Sequence, residues 1–250
     1  MCSSDLAGGW IAVLPVAAIE QHGPHLPVGV DALIARAYLD RVRALLPADL
    51  PVTFLPVLEI GTSDEHRAFP GTLTLSAATA ARALAEIGES VHRAGVSRLV
   101  IANSHGGNVS TINTVALDLR LRLNMLAVTC SWSRFGYPDG LFAPQELAHG
   151  IHGGAVETSI MLAAWPDLVR TDRIADFPSR SIAMERQFRW LRPDDPVGFG
   201  WMSQDLHASG ALGDARAATA AKGEAALAHG AQAFIELLRE VERFQMTEDG

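Results

Sequence analysis

The sequence predicts an α/β protein with a mainly parallel sheet that helices cover on both faces. Apolar runs at residues 11–19, 52–58, 98–103 and 125–132 have the length and composition of buried strands. Segments with helical spacing of apolar residues separate these runs, and such alternation is typical of parallel sheets. The third run is continuously apolar at its centre, which indicates burial on both faces.

Helices are predicted in five of the remaining segments, and their ends carry capping signals. Ser76 and Asp214 are side chains that can accept a hydrogen bond from a backbone N–H of a first helical turn, and Asp31 sits where a third cap is expected. The segments 133–150 and 171–198 are predicted to be irregular. The helices cover residues 31–46, 76–94, 108–123, a stretch that opens at 151–154 and runs to 164, and 214–244.

Composition restricts the class of protein. The 250 residues are 48% hydrophobic, which fits one domain spanning residues 1–250 with a large core. The net charge of -8 and the lack of a basic run argue against a nucleic-acid partner. No apolar run reaches the roughly 18 residues that cross a bilayer, so no membrane partner is expected. Only Cys2 and Cys130 are present, and the first residues do not resemble a signal peptide; we therefore expect a cytoplasmic protein.

The segment from Glu20 to Asp31 brings acids and imidazoles together after the first predicted strand. Glu20 and His22 are two residues apart, so in extended chain their side chains point to the same side. Glycines and prolines then break regular structure before Asp31 begins a helix. Carboxylate oxygens and imidazole nitrogens in this arrangement suit a divalent metal. The alternative is an ordinary polar loop that Asp31 caps.

Polar clusters follow all four predicted strands. In parallel α/β folds, sites lie at the carboxyl ends of the strands, and these ends meet at one edge of the sheet. We therefore expect one shared site rather than scattered loop polarity. In chain order, the clusters are Glu20 with His22, Glu65 with His66, His105, and His152 with Glu157.

His105 lies in a strand-to-helix turn, Asn-Ser-His-Gly-Gly-Asn, whose glycines permit close approach of the backbone to a ligand. Because the turn opens a helix, phosphate binding is an alternative. The turn lacks the longer glycine fingerprint and the lysine of a P-loop, so we favour His105 as a metal ligand.

His152 and Glu157 are five residues apart and do not share one helix face. If His152 lies in the loop and Glu157 in the first helical turn, both can point into one cavity. The alternative for Glu157 is a favourable interaction with the helix dipole alone.

Charge counting favours two metal ions. Glu20, Asp31 and Glu157 bring three negative charges, which two divalent ions and a bridging hydroxide would balance. Asp31 can bridge, with Glu20 and His105 on one ion and His22 and Glu157 on the other. His152 then has no metal to bind and is free to move a proton to a leaving nitrogen.

Three motifs, in this order and spacing, resemble the creatininase family of amidohydrolases. They are Glu-Gln-His-Gly-Pro-His-Leu-Pro with Asp31 eleven residues after Glu20, Ser-His-Gly-Gly-Asn, and His-Gly-Gly-x-x-Glu-Thr-Ser. The resemblance implies a three-layer α/β/α sandwich, a dinuclear centre of zinc, manganese or iron, cleavage of an amide C–N bond, and often a hexamer. It implies metal ligands at Glu20, His22, Asp31 and His105 and a catalytic role for His152.

The sequence also departs from members that hydrolyse creatinine. Those members carry a carboxylate ligand at the position of Gly107, a Glu at the position of Ile151, and a Trp in the substrate-covering loop at the position of Ala148. We therefore expect a small-molecule amide other than creatinine as substrate, and we expect Glu157 to take the ligand position that Gly107 leaves empty.

Several related functions stay open. The Gly-Gly turn is more similar to family members that deformylate a formamidopyrimidine or trim a mycofactocin precursor peptide. A metal-dependent sugar hydrolase or isomerase is another alternative, with Glu65 or His66 as general base. A catalytically silent metal-binding or assembly protein is disfavoured, because all proposed ligands and the proton shuttle are present.

Overall fold

Four parallel strands form the centre of the computed structural model, which describes residues 9–194 and 196–247. The strands pair in the order β2-β1-β3-β4. This arrangement confirms the predicted α/β class with a parallel sheet. The strands are β1 (Ile11–Val16), β2 (Val52–Phe54), β3 (Arg98–Asn103) and β4 (Leu126–Ser131).

Eight α-helices and a second, two-stranded sheet complete the described part of the chain. The strands β5 (Asp176–Phe177) and β6 (Gly213–Asp214) pair antiparallel to each other. The helices are α1 (Val30–Leu45), α2 (Ala77–Arg93), α3 (Val109–Leu123), α4 (Pro144–His149), α5 (Ala155–Ala164), α6 (Ser181–Gln187), α7 (Ser203–Leu206) and α8 (Ala220–Arg243).

The alternation of side chains along the central strands produces the three layers. Ile11 and Val13 of β1 join a core that includes residues of α1, α5 and α8. Ala12 and Leu14 point the other way, into a core with residues of α2 and α3. The sheet is therefore covered on both faces, as the sequence predicts. Helices α5 and α8 approach each other closely at Gly223, where a Cβ atom would collide with the backbone oxygen of Ser159.

The strand order creates a crevice between β1 and β3. The chain moves outward from β1 to β2 through α1, and then returns across β1 to β3 through α2 on the opposite face. The loops that leave β1 and β3 therefore diverge at the carboxyl edge of the sheet. Such a switch point is where open α/β sheets bind ligands.

The strands are shorter than predicted. Strand β1 ends at Val16 and β2 at Phe54, rather than at residues 19 and 58. Pro15 of β1, whose oxygen accepts from Leu58 N, has no N–H to donate to β2, so the ladder is interrupted after Leu55 N donates to Val13 O. The pairing resumes only as an isolated bridge between Val16 and Leu58.

Of the three expected caps, only that of α2 is correct. Ser76 accepts a hydrogen bond from the Thr79 N–H at 3.2 Å. Asp31 is the second residue of α1, whose cap position is Gly29, because its carboxylate is turned into the site. Asp214 instead accepts from Arg216 N in a short turn before α8.

The cap of α8 is Thr219, which accepts from the backbone of Lys222. The segments predicted as irregular also contain regular structure that the sequence pattern missed: α4 lies within 133–150, and β5 and α6 lie within 171–198.

Among the described residues, no helix has both the length and the apolarity that a membrane span requires. Cys130 is a free thiol, and Cys2 lies outside the described residues.

Candidate metal centre

The structure brings all six predicted site residues together at the crevice between β1 and β3. Five of them are almost completely buried, and the side chain of Glu157 is 21% exposed. Glu20 and His22 lie in the loop after β1, Asp31 in the first turn of α1, His105 directly after β3, His152 before α5, and Glu157 in the first turn of α5.

Glu20, Asp31 and His105 form one possible ligand group. The Nδ1 atom of His105 lies 3.2 Å from Glu20 Oε1 and 3.5 Å from Asp31 Oδ2. These two carboxylates come from different elements, the loop after β1 and the start of α1, and both face the same imidazole nitrogen. Oxygen and nitrogen donors in this combination suit zinc and manganese.

His22, Asp31 and Glu157 form a second possible group. The Nε2 atom of His22 lies 3.5 Å from Asp31 Oδ1 and 3.6 Å from Glu157 Oε2, and the three donor atoms lie within 4.8 Å of one another. The two oxygens of Asp31 thus face different imidazoles. The arrangement has the shape expected for a carboxylate that bridges two ions.

Unpartnered buried atoms provide a test of whether these residues fit metal ions. Both carboxylate oxygens of Glu20, Nε2 of His22 and Oδ2 of Asp31 are buried without a hydrogen-bond partner. Buried polar atoms are normally paired, because leaving them unpaired is costly. All four atoms are ones that the two groups would offer to a metal, so the residues fit a dinuclear centre.

Hydrogen bonds behind the imidazoles hold the remaining ring nitrogens. His22 Nδ1 donates to the backbone oxygen of Glu20 at 3.1 Å. His105 Nε2 donates to the backbone oxygen of Thr62 at 2.8 Å. Since an oxygen can only accept, these contacts assign the protons and leave His22 Nε2 and His105 Nδ1 as lone-pair donors. Such backbone contacts are the usual support of metal-binding histidines.

Electrostatics favour a positive charge at the same two nitrogens. Burial alone would lower the pKa of His22, but Asp31 and Glu157 outweigh it and raise that pKa to about 9. Burial would also lower the pKa of His105, but Glu20 and Asp31 outweigh this effect and raise that pKa to about 10. In the metal-free protein, protons take the positions that cations would occupy. Metal binding would displace them.

His152 has a different environment from the two ligand imidazoles. Its ring lies between those of His22 and His66, with centroids 4.0 Å and 4.2 Å away. Its Nε2 donates to the backbone oxygen of Gln21 at 2.5 Å, and its Nδ1 lies 3.5 Å from Glu20 Oε1. Burial, His22 and His66 all depress its pKa. His152 is therefore neutral, with Nδ1 facing the centre.

Gln21, which no sequence pattern singles out, connects several parts of the site. Its side-chain nitrogen contacts His66 Nδ1 at 2.9 Å and donates to the Gly210 oxygen at 3.0 Å. This amide directs the other nitrogen of His66 toward Glu20, at 3.4 Å. Strand alternation would have turned Gln21 away from Glu20, but β1 ends before both residues, so that rule does not apply here.

Glu65 and His66 enter the site from the short turn Asp64–His66 after β2. Burial is the main cause that lowers the pKa of His66 to about 3. Glu65 Oε1 lies 3.4 Å from His105 Nε2, and burial raises the pKa of its carboxyl group. A Cβ atom at Gly107 would lie 2.6 Å from Glu65 Oε1, so Glu65 occupies the space next to that glycine.

Glu146, on α4, holds the loop that carries His152. Its Oε1 accepts from the N–H of Ala155 at 2.5 Å, and its Oε2 accepts from the N–H of Asp214 at 2.9 Å. A Cβ atom at Gly150, Gly154 or Gly213 would collide with this carboxylate. Glu146 therefore fixes the start of α5 against β6. The sequence offered only the surrounding glycines as a signal.

Fold and site together define an α/β enzyme that acts at the carboxyl edge of its sheet. Residues 3–238 match the family model described as creatinine amidohydrolase, the creatininase family. The chain belongs to this family, and it is therefore an amidohydrolase, an enzyme that hydrolyses carbon–nitrogen bonds.

Two curated relatives show the range of the family. The chain is 32% identical over 255 residues to the creatinine amidohydrolase of Pseudomonas putida, covering 94% of this chain and 90% of the relative. It is 33% identical over 216 residues to the mycofactocin precursor peptide peptidase of Mycolicibacterium smegmatis, covering 86% and 78%.

Solved structures agree with the fold. A structure of creatinine amidohydrolase superposes with a TM-score of 0.79 at 28% identity, over 97% of this chain and 95% of the other. A manganese form of creatininase has a TM-score of 0.76 at 29% identity, over 95% of this chain and 93% of the other. A zinc–zinc form of a creatininase mutant has a TM-score of 0.72 at 30% identity, over 93% of this chain and 91% of the other.

Proposed function

We propose that this amidohydrolase uses two divalent metal ions to cleave an amide C–N bond of a small, non-peptide or cyclic substrate. The observation that carries the proposal is the set of four buried, unpartnered donor atoms, divided between two groups that share Asp31. The manganese and zinc–zinc forms of similar structures support the choice of ions.

Glu20, Asp31 and His105 would hold one ion, and His22, Asp31 and Glu157 the other. Metal ions in such a pair polarise a carbonyl group and lower the pKa of a water molecule. The protein positions the donor atoms through the hydrogen bonds of His22 Nδ1 and His105 Nε2 to backbone oxygens. Burial of the site excludes bulk water and strengthens these electrostatic interactions.

His152 is the proposed proton carrier, and its Nδ1 is the atom that moves the proton. Its Nε2–H is committed to the Gln21 oxygen, while the neutral ring leaves Nδ1 able to accept. Nδ1 would take a proton from the attacking water and deliver it to the leaving nitrogen. Glu157 lies on the other side of His22 and contributes through ligation.

Creatinine itself is proposed to be a poor substrate. Ala148 and Ile151 stand where the resemblance implies a covering Trp and a Glu, and both side chains are exposed on or beside α4. Neither can close over a small ring. The second candidate function is hydrolysis of a precursor peptide, which the similarity to the mycofactocin precursor peptide peptidase favours. We also propose that the chain acts in the cytoplasm as a homo-oligomer.

The decisive experiment combines metal analysis with a substrate screen. We expect two equivalents of zinc, manganese or iron per chain after purification without chelators, and hydrolysis of formamides or cyclic amides. Short peptides, creatinine and a ketose are screened in parallel and test the alternatives. A protein that contains no transition metal and binds none when it is added would refute the proposal.

Two variants test the ligand assignment. The change His105→Ala should reduce metal content while circular dichroism shows an intact fold. The change Glu157→Gln should weaken the binding of one of the two ions, because only the His22 group contains Glu157. If Glu157→Gln retains both ions at wild-type affinity, Glu157 only orients a neighbour by a hydrogen bond.

A further inference from the structure

We propose that Glu65 selects the substrate: its carboxylate binds a nitrogen-bound hydrogen and favours substrates with a cationic nitrogen close to the scissile amide. This inference rests on the proposed hydrolytic function, since it places the substrate at the same centre. It specifies which charge the site prefers in its substrate, and the metal ligands alone do not determine this.

The position of Glu65 is the first observation. The turn Asp64–His66 sends successive side chains in different directions, so that Glu65 is 20% exposed and Asp64 is 60% exposed. One carboxylate oxygen of Glu65 lies within 4.8 Å of donor atoms of both Glu20 and His105, so these three residues also form a group that could hold a metal ion. Glu65 is therefore close to the reacting region and still accessible to a ligand.

The second observation is that the Glu65 carboxylate has only its own backbone N–H as a hydrogen-bond donor. The nearest side-chain donor, His105 Nε2 at 3.4 Å, already donates to the backbone oxygen of Thr62 at 2.8 Å. Within the described ranges 9–194 and 196–247, no other side chain forms an ion pair with Glu65. A mostly buried carboxylate whose acceptor positions are largely unused is unfavourable, and an N–H group of a bound substrate would offset this cost.

The third observation concerns space. A Cβ atom at Gly107 would lie 2.6 Å from Glu65 Oε1 and 2.5 Å from His105 Nε2, and it would also collide with the backbone oxygen of Thr62. Any side chain at Gly107 would push the Glu65 carboxylate aside. The glycine therefore leaves room for the Glu65 carboxylate beside His105.

Charge favours a cation over a neutral or anionic group. Glu65 joins Glu20, Asp31 and Glu157, and among the residues that the structure describes none of the four is ion-paired with Lys or Arg. Two divalent ions and a hydroxide would balance the three carboxylates of Glu20, Asp31 and Glu157. Glu65 then adds one negative charge, so a cationic substrate group is attracted and a carboxylate or phosphate is repelled.

The test uses a pair of probes that share a shape and differ in charge, methylguanidinium and N-methylurea. Both are titrated into the zinc-loaded full chain by calorimetry. We expect the wild type to bind methylguanidinium about tenfold or more tightly than N-methylurea, the range of a charge-assisted hydrogen bond. The change Glu65→Gln keeps the shape but removes the charge, and it should abolish this preference.

Asp64→Asn is the matched control, because it removes the same charge from the exposed neighbour on the same turn. Asp64→Asn should keep the preference for methylguanidinium. If both variants lose this preference equally, the cause is the general negative charge of the region and not a contact with Glu65, and the inference is overturned. Metal analysis accompanies each titration. A metal-free wild type counts against the proposed function itself, whereas a loaded wild type without cation preference counts only against Glu65. Loss of a metal ion in Glu65→Gln would make Glu65 a ligand and overturn its role in substrate selection.

Discussion

Individual imidazoles in this site differ in what lies behind them, and this difference separates ligands from a proton carrier. His22 and His105 each donate to a backbone oxygen and present the other nitrogen to two carboxylates. His152 also donates to a backbone oxygen, but among the described carboxylates its other nitrogen contacts only Glu20, at 3.5 Å. The pKa values follow: raised at the first two and depressed at His152.

We predict that His152→Ala retains both metal ions and loses about 10²–10⁴-fold in kcat, the usual contribution of general acid–base catalysis. Metal content and steady-state kinetics on the best substrate measure the two effects. His105→Ala is the comparison, because it should lose metal and activity together. If His152→Ala loses one equivalent of metal, His152 is a ligand and the charge-balanced set of three carboxylates and two imidazoles is wrong.

Site residues could be predicted from the sequence where they lie close together in the chain or next to a strand. Glu20, His22 and Asp31 lie within twelve residues, and His105 follows directly on a strand, so sheet topology alone places them together. The contacts of Gln21 with His66 and Gly210 span 45 and 189 residues. No periodicity reports such contacts, because they depend on how separate loops fold over one another.

At the scale of elements, the loop before α5 is held by a helix that the sequence pattern missed. Helix α4 has six residues, too few for helical periodicity to emerge. Its importance lies in Glu146, which accepts hydrogen bonds from the start of α5 and from β6. His152 and Leu212 pair next to those two contacts, a few residues before Ala155 and Asp214. The position of the proton carrier thus depends on α4.

We predict that Glu146→Gln lowers the free energy of unfolding by about 1–3 kcal/mol, because an amide can accept only one of the two buried N–H groups and leaves the other unsatisfied. Chemical denaturation measures this change. Activity should fall as well, with metal retained, since the loop that Glu146 holds carries His152, the proposed proton carrier. Gln145→Ala, which removes an exposed side chain from the same helix, should alter neither property. A neutral effect of Glu146→Gln would show that this contact is not needed to hold the loop.

The central elements were the most predictable part of the fold. The apolar runs located all four strands, because burial on both faces requires continuous hydrophobic sequence. Helix starts were less predictable. Asp31 and Asp214 are residue types that often cap helices, but Asp31 is turned into the site and Asp214 caps a short turn before α8. A capping side chain satisfies local backbone only when no tertiary partner competes for it.

Across the whole molecule, buried histidines with opposite pKa shifts set how stability depends on pH. His22 and His105 bind protons more tightly in the folded, metal-free chain than in the unfolded chain, with pKa values of about 9 and 10. Their contribution is complete below pH 6.5 and is lost as the pH rises through those values. Metal ions replace the protons, so the loaded protein should not lose this stability at high pH.

His25 has the opposite shift and allows a separate test. Burial lowers its pKa to about 4, and its Nε2 lies 2.9 Å from Thr158 Oγ1. Between pH 6.5 and 4 the unfolded chain binds a proton here that the folded chain does not, so this contribution to stability falls as the pH falls. We measure the free energy of unfolding by urea denaturation at several pH values across this window. Its slope against pH should be smaller in His25→Gln than in the wild type, by about 1.4 kcal/mol per pH unit. Above pH 7 the two proteins should have parallel profiles. An unchanged slope at low pH would mean that His25 is already protonated in the folded protein.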